Sequence, residues 1–289
     1  MNAYDPRPLM SSSTPRTFDV EALWPLCLDI VRQRRSAGAP PPPVLLPLEG
    51  WNDEAVELLA LLDPLLDRPP QGAPWVIGQL GQSLDGCIAT RGGDSNYVNG
   101  AQVLLHLHRL RALCDAVIVG AGTVAIDNPQ LTTRRVAGEH PVRVVLDPAL
   151  RLPPSLRVFT DRQAPTLLAC DAAREAEAAR RVGADQVLGV PGLVNAEGTM
   201  DLHALLAALE RRGLHVLFVE GGGITVSRFI AQGCMNRLHL SVAPVLIGGG
   251  RPGLLLPPRT AMRDCPRPAS RVFRMGADVL WDLDLRGPG

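Results

Sequence analysis

Residues 214–230 read Leu-His-Val-Leu-Phe-Val-Glu-Gly-Gly-Gly-Ile-Thr-Val-Ser-Arg-Phe-Ile. Val216 to Val219 form an apolar run of strand length. Glu220 stands where that strand ends, and Gly221, Gly222 and Gly223 follow at once. Ile224, Phe229 and Ile230 open a short helix that Gly233 is placed to close. Glycines at a strand-to-helix turn take Cβ atoms out of the backbone's approach path. The helix start behind them offers free N–H groups and a partial positive charge. The combination suits a diphosphate; a tight turn without a ligand is the other reading.

Working outward, strand and helix patterns alternate from residue 74 onward. Strands are expected at 75–80, 116–119, 142–146, 166–169 and 238–245, and helices at 101–113, 172–182 and 202–211. This alternation predicts an α/β fold with a mainly parallel sheet and helices on both faces. Residues 270–275 and 278–285 flank Gly276-Ala277 and read as a C-terminal antiparallel hairpin. Residues 1–72 differ: two helical patterns, at 18–35 and 52–66, are separated by a proline run at 40–43. Pro25 is expected in the first turn of the first helix, and Asn52 or Asp53 caps the second. The chain therefore divides into a helical, proline-rich extension, 1–72, and an α/β domain, 73–289. The extension carries no catalytic constellation and is expected to pack on the main domain or on a second subunit.

A second glycine turn, Gly120-Ala121-Gly122-Thr123-Val124-Ala125, fits the letters of a dinucleotide-binding turn. Asp127-Asn128-Pro129 stops the following helix after about two turns, since proline cannot continue it. A full dinucleotide-binding unit is not expected there; a turn that approaches phosphate or ribose is, with Thr123 as a hydroxyl donor and Asp127 orienting a ligand hydroxyl. Arg111 and Arg134 are candidates for a phosphate, because guanidinium matches phosphate oxygens in pairs. Solvated surface arginines are the alternative.

The 29 basic residues balance 29 acidic ones, which gives no whole-chain attraction to nucleic acid or an anionic membrane. Aromatic residues make up only 4%, too few for base-stacking platforms. The six cysteines form no C-x-x-C pair, and His106 and His108 face different sides of a helix, so no metal site is expected. No apolar stretch has membrane-span length and no secretory signal is visible, which points to the cytoplasm.

Several stretches, taken in order, resemble the reductase domain of riboflavin biosynthesis, which has a dihydrofolate-reductase-like fold. They are Ser83-Leu84-Asp85-Gly86, Gly93-Asp94-Ser95-Asn96-Tyr97, His108-Arg109-Leu110-Arg111, Val119 to Val124, Asp127 to Arg134, Pro141 to Asp147, Val219 to Gly222 and Ala243 to Gly249. The resemblance spans residues 74–286 and implies an NADPH-dependent homodimeric reductase. Its substrate would be a phosphorylated ribosylaminopyrimidine, reduced at C1′ to the ribitylamino product. It implies cofactor contacts from Gly81, Tyr97, Thr123, Asp127, Gly222, Gly223, Ile224 and Thr225. Substrate contacts would come from Ser95, Arg111, Leu131, Arg134 and Glu220. No covalent nucleophile is needed, because the nicotinamide does the reduction and the protein positions the two carbons. Gln79 stands where this family usually has lysine, and Pro148 where relatives often have a cofactor-contacting polar residue. A zinc deaminase signature, H-x-E with P-C-x-x-C, is absent from the sequence. A pterin or folate reductase of the same fold, or a binding protein built on it, are the alternatives.

Overall fold

The structure is a computed structural model that describes residues 18–36, 49–67, 73–95 and 98–287. The proline run at 40–43, the boundary at 68–72 and the cofactor candidate Tyr97 lie outside the described residues.

The stretch at 214–230 folds as a strand, Val216–Glu220 (β7), and a helix, Gly223–Ala231 (α8). Val216 and Phe218 pack on one side of the sheet, Leu217 and Val219 on the other. The run is apolar throughout because both faces are covered. Its neighbours are Trp75–Ser83 (β1) and Ala116–Gly120 (β3), both parallel to it. Beyond β3 come Val142–Leu146 (β4), Thr166–Asp171 (β5) and Val187–Val190 (β6), all parallel. On the far side of β1 lies Arg237–Ala243 (β8), again parallel. Asp278–Asp284 (β11) then pairs antiparallel with β8, and Ala269–Met275 (β10) closes the edge as the expected hairpin. The order is β10-β11-β8-β1-β7-β3-β4-β5-β6. Two short strands, Cys87–Ala89 (β2) and Arg251–Pro252 (β9), pair outside this sheet. The strands β2, β6 and β9 were not read from the sequence; at four residues or fewer they are too short to show a period.

Helices cover both faces. Leu202–Glu210 (α7) and α8 pack on one. On the other, Ala101–Leu113 (α3) lies between the sheet and two N-terminal helices, Val20–Ser36 (α1) and Asp53–Leu66 (α2). Leu23, Cys27, Leu28 and Val31 of α1 and Leu58, Leu62 and Leu65 of α2 share one core with Leu110, Leu113, Val117 and Phe218. Asn52 caps α2 as expected, its Oδ1 accepting the Ala55 N–H at 2.8 Å. Asp19 caps α1, accepting the Ala22 N–H at 3.0 Å. This start corrects the reading of Pro25: it sits in the second turn, where it removes one helical hydrogen bond.

Candidate active site

Three parallel strands end around one cavity, β3 at Gly120, β4 at Leu146 and β7 at Glu220, and β1 passes along it at Gln79–Gly81. The carboxyl edge of a parallel sheet is where ligands of open α/β folds bind. The cavity measures about 940 Å³, at the upper end for small-molecule sites. A smaller recess of about 290 Å³ adjoins it, sharing Pro148, Arg151, Met200 and Arg228.

The two glycine turns meet at its floor. Gly222 N–H donates to Thr123 Oγ1 at 3.1 Å, tying α8 to the short helix Ala121–Asp127 (α4). The Thr123 hydroxyl accepts this bond, so its own proton stays available to a ligand. Gly221 adopts φ +104°, a conformation that glycine takes without strain. Gly223 is glycine for a different reason than a ligand's approach: a Cβ there would collide with the Gly253 carbonyl. At Gly120 a Cβ would strike Thr225 Oγ1, and at Gly81 the Asn99 amide. Gly122 alone among these faces open space.

Of the cofactor residues expected from the sequence, Gly81, Thr123, Asp127, Gly222, Gly223, Ile224 and Thr225 all line the cavity. So do the substrate candidates Ser95, Leu131 and Glu220. Arg111 and Arg134 do not line it. Arg111 is buried behind Glu220, with Nε donating to Oε2 at 2.8 Å and Nη2 to Oε1 at 2.5 Å. Its Nη1 donates to the Thr132 carbonyl at 2.9 Å. Arg134 is exposed and its Nη1 reaches the same carbonyl at 3.4 Å. The two guanidiniums thus converge on one backbone oxygen beside the carboxylate. Burial first, and then Arg111, lower the Arg134 pKa from its ordinary value, while Glu220 opposes the shift. Partial burial and the Glu220 charge raise the Asp127 carboxyl above its usual range.

Two further residues, Arg151 and Arg228, were not read from the sequence, and the surroundings of a third, Gln79, were not legible there. Arg151 and Arg228 line both cavities, and neither forms an ion pair with another described residue. Arg228 lies one turn past Ile224 on the exposed side of α8, a spacing that could have flagged it. Gln79 is buried, and its Oε1 finds no partner among the described residues. It lies in register with Glu220 on one side and His239 on the other.

A mainly parallel sheet whose strand ends and glycine turns floor a cavity of about 940 Å³ defines an α/β domain with a small-molecule site. The chain belongs to the RibD C-terminal domain family, whose model matches residues 74–262. It is 33% identical over 220 residues to the 2,5-diamino-6-ribosylamino-4(3H)-pyrimidinone 5′-phosphate reductase of Methanothermobacter thermautotrophicus, covering 74% of this chain and 99% of that protein. It is also 33% identical over 212 residues to the riboflavin biosynthesis protein RibD of Bacillus amyloliquefaciens. That match covers 72% of this chain and only 56% of RibD, so the chain spans little more than half of this longer relative. Among solved structures it superposes on the diaminohydroxyphosphoribosylaminopyrimidine deaminase/5-amino-6-(5-phosphoribosylamino)uracil reductase of Thermotoga maritima. There the TM-score is 0.61 at 25% identity, over 80% of this chain and 61% of that one.

Proposed function

We propose that the protein is an NADPH-dependent reductase that converts a ribosylaminopyrimidine 5′-phosphate to its ribitylamino product. One observation carries this reading: a single cavity is lined by members of both expected ligand sets, Thr123, Gly222 and Thr225 for the cofactor and Ser95, Leu131 and Glu220 for the substrate. The similarity to the Methanothermobacter thermautotrophicus reductase, over 99% of that protein, supports the same substrate class.

The residues present fit such a cofactor. Gly122 leaves open space in the floor, and the first turn of α8 presents backbone N–H groups beside Gly222. Bound there, the dihydronicotinamide supplies hydride. The chain's own part is to hold C1′ of the ring-opened substrate against it and to neutralise the substrate's phosphate. Arg134 is the exposed cation for that phosphate, and Arg111 supports it from behind by fixing Glu220 and Thr132. Arg151 and Arg228, where the two cavities join, supply positive charge for the 2′-phosphate that separates NADPH from NADH. They take the place of the polar side chain that Pro148 lacks.

A homodimer in the cytoplasm belongs to the same proposal. No helix among the described residues is long and apolar enough to cross a membrane. The deciding assay follows NADPH oxidation with the ribosylaminopyrimidine phosphate and, in parallel, with dihydrofolate. Turnover of the pyrimidine alone supports the reading; turnover of dihydrofolate alone overturns it. Sedimentation as a monomer at micromolar concentration would overturn the dimer.

A further inference from the structure

The loop that carries Leu131 to Arg134 leaves α4 at Asp127 and enters β4 at Val142. Its far half is gripped by α1, a helix outside the stretch that the family model matches. Trp24 is 8% exposed, and its indole Nε1 donates to the Ala137 carbonyl at 2.9 Å. Arg35 Nη1 donates to Glu139 Oε2 at 2.9 Å. Between these two anchors, Gly138 lies at φ +139°, where a Cβ would come within 2.6 Å of Ala112 on α3 and 3.3 Å of Leu28 on α1. The loop is thus wedged between the two helices. The grip is relayed to the substrate candidates: the Glu139 carbonyl accepts the Thr133 hydroxyl at 3.0 Å, and the Arg134 N–H donates to His108 Nδ1 at 3.1 Å.

We propose that α1, acting chiefly through Trp24, is a positioning element for the phosphate-binding loop. This rests on the role given above to Arg134. A loop held before the substrate arrives need not be ordered on binding, so the clamp acts on affinity and not on the hydride step. Trp24 is the stronger anchor. The Arg35–Glu139 pair has Glu139 largely in water, where such pairs contribute little.

The test uses the full chain with Trp24→Phe, which keeps most of the ring packing and removes the indole donor. Glu139→Gln is the second variant; it weakens the other anchor without touching the α1 core. One hydrogen bond of this kind corresponds to roughly a 2- to 10-fold effect. Trp24→Phe should therefore raise KM for the pyrimidine phosphate by about that factor, with kcat and the NADPH Kd within about 2-fold. Amide exchange across residues 132–139 should accelerate while exchange in the strands does not. Glu139→Gln should move KM and exchange in the same direction by less. Unchanged KM and unchanged loop exchange in Trp24→Phe would overturn the clamp, as would a loss in kcat at constant KM. If the wild-type protein does not turn over the pyrimidine phosphate, the substrate assignment falls. The exchange measurement then still decides whether α1 holds the loop.

Discussion

Arg111 and Glu220 meet side by side, two N–H groups on two carboxylate oxygens, although 109 residues separate them in the chain. The pair is nearly closed to water, with side-chain exposures of 5% and 14%. It joins the end of α3 to the end of β7, two elements that line the cavity. Removing one member of such a pair leaves a buried charge without compensation, at a cost of about 3–5 kcal/mol. Arg111→Ala should therefore lower stability by that order in urea unfolding, besides abolishing turnover. A loss below about 1 kcal/mol, as for a solvated arginine, would show that the pair is not the brace described.

Arg134 lies at the other end of the same arrangement, exposed and charged. Arg134→Ala should weaken the phosphorylated substrate by about 1.5–3 kcal/mol, roughly 10- to 150-fold in Kd, and leave NADPH binding nearly intact. Isothermal titration with each ligand separates the two. Equal losses for both would refute the division of roles.

Gln79 is a buried acceptor facing the cavity without a described partner for its Oε1. An orphan acceptor of this kind costs stability unless a ligand satisfies it. Replacing it with leucine should raise the thermal midpoint slightly, by the equivalent of about 1 kcal/mol, while raising KM for the substrate. A variant that loses stability and keeps its KM would mean that the amide serves the fold and not the ligand.

The pH dependence follows from the buried histidines. Burial, then Arg111, Arg134 and Arg135, push the His108 pKa down to about 4 from 6.5. Burial also lowers His106, assisted by His239 and Arg109, and lowers His239 against the pull of Asp282. All three are neutral in the fold, and all take up protons on unfolding once the pH drops below about 6.5. The unfolded state then binds more protons, so stability is whole above that pH and declines as the pH falls toward about 4 and below. Urea midpoints measured from neutral to mildly acid pH should show the decline. A flat profile would contradict neutral burial of these rings.

Much of this architecture is visible in the chain itself. The apolar run before Glu220, the glycine turns and the hairpin around Gly276 are local patterns, and local patterns fix strands and turns. What the sequence does not display is partnership across distance. Nothing near Gly223 announces that the Gly253 carbonyl presses on it, and nothing near Arg111 announces Glu220. The candidate phosphate clamp illustrates the limit. Two arginines were legible as cations, but only packing makes one a buried brace and leaves the other exposed. Arg151 and Arg228 were missed for the converse reason: each is a lone charge in an ordinary context until the fold brings both to one recess.

Leu23, Cys27 and Leu28 precede the stretch that defines the family, yet they share their core with Leu110, Leu113 and Phe218. A chain begun at Pro74 would keep every residue of the recognisable reductase and present that face bare to water. Such a truncation should be prone to self-association, since a large uncovered apolar face invites it. In this protein the stretch that marks the family and the core that is packed against it have different edges.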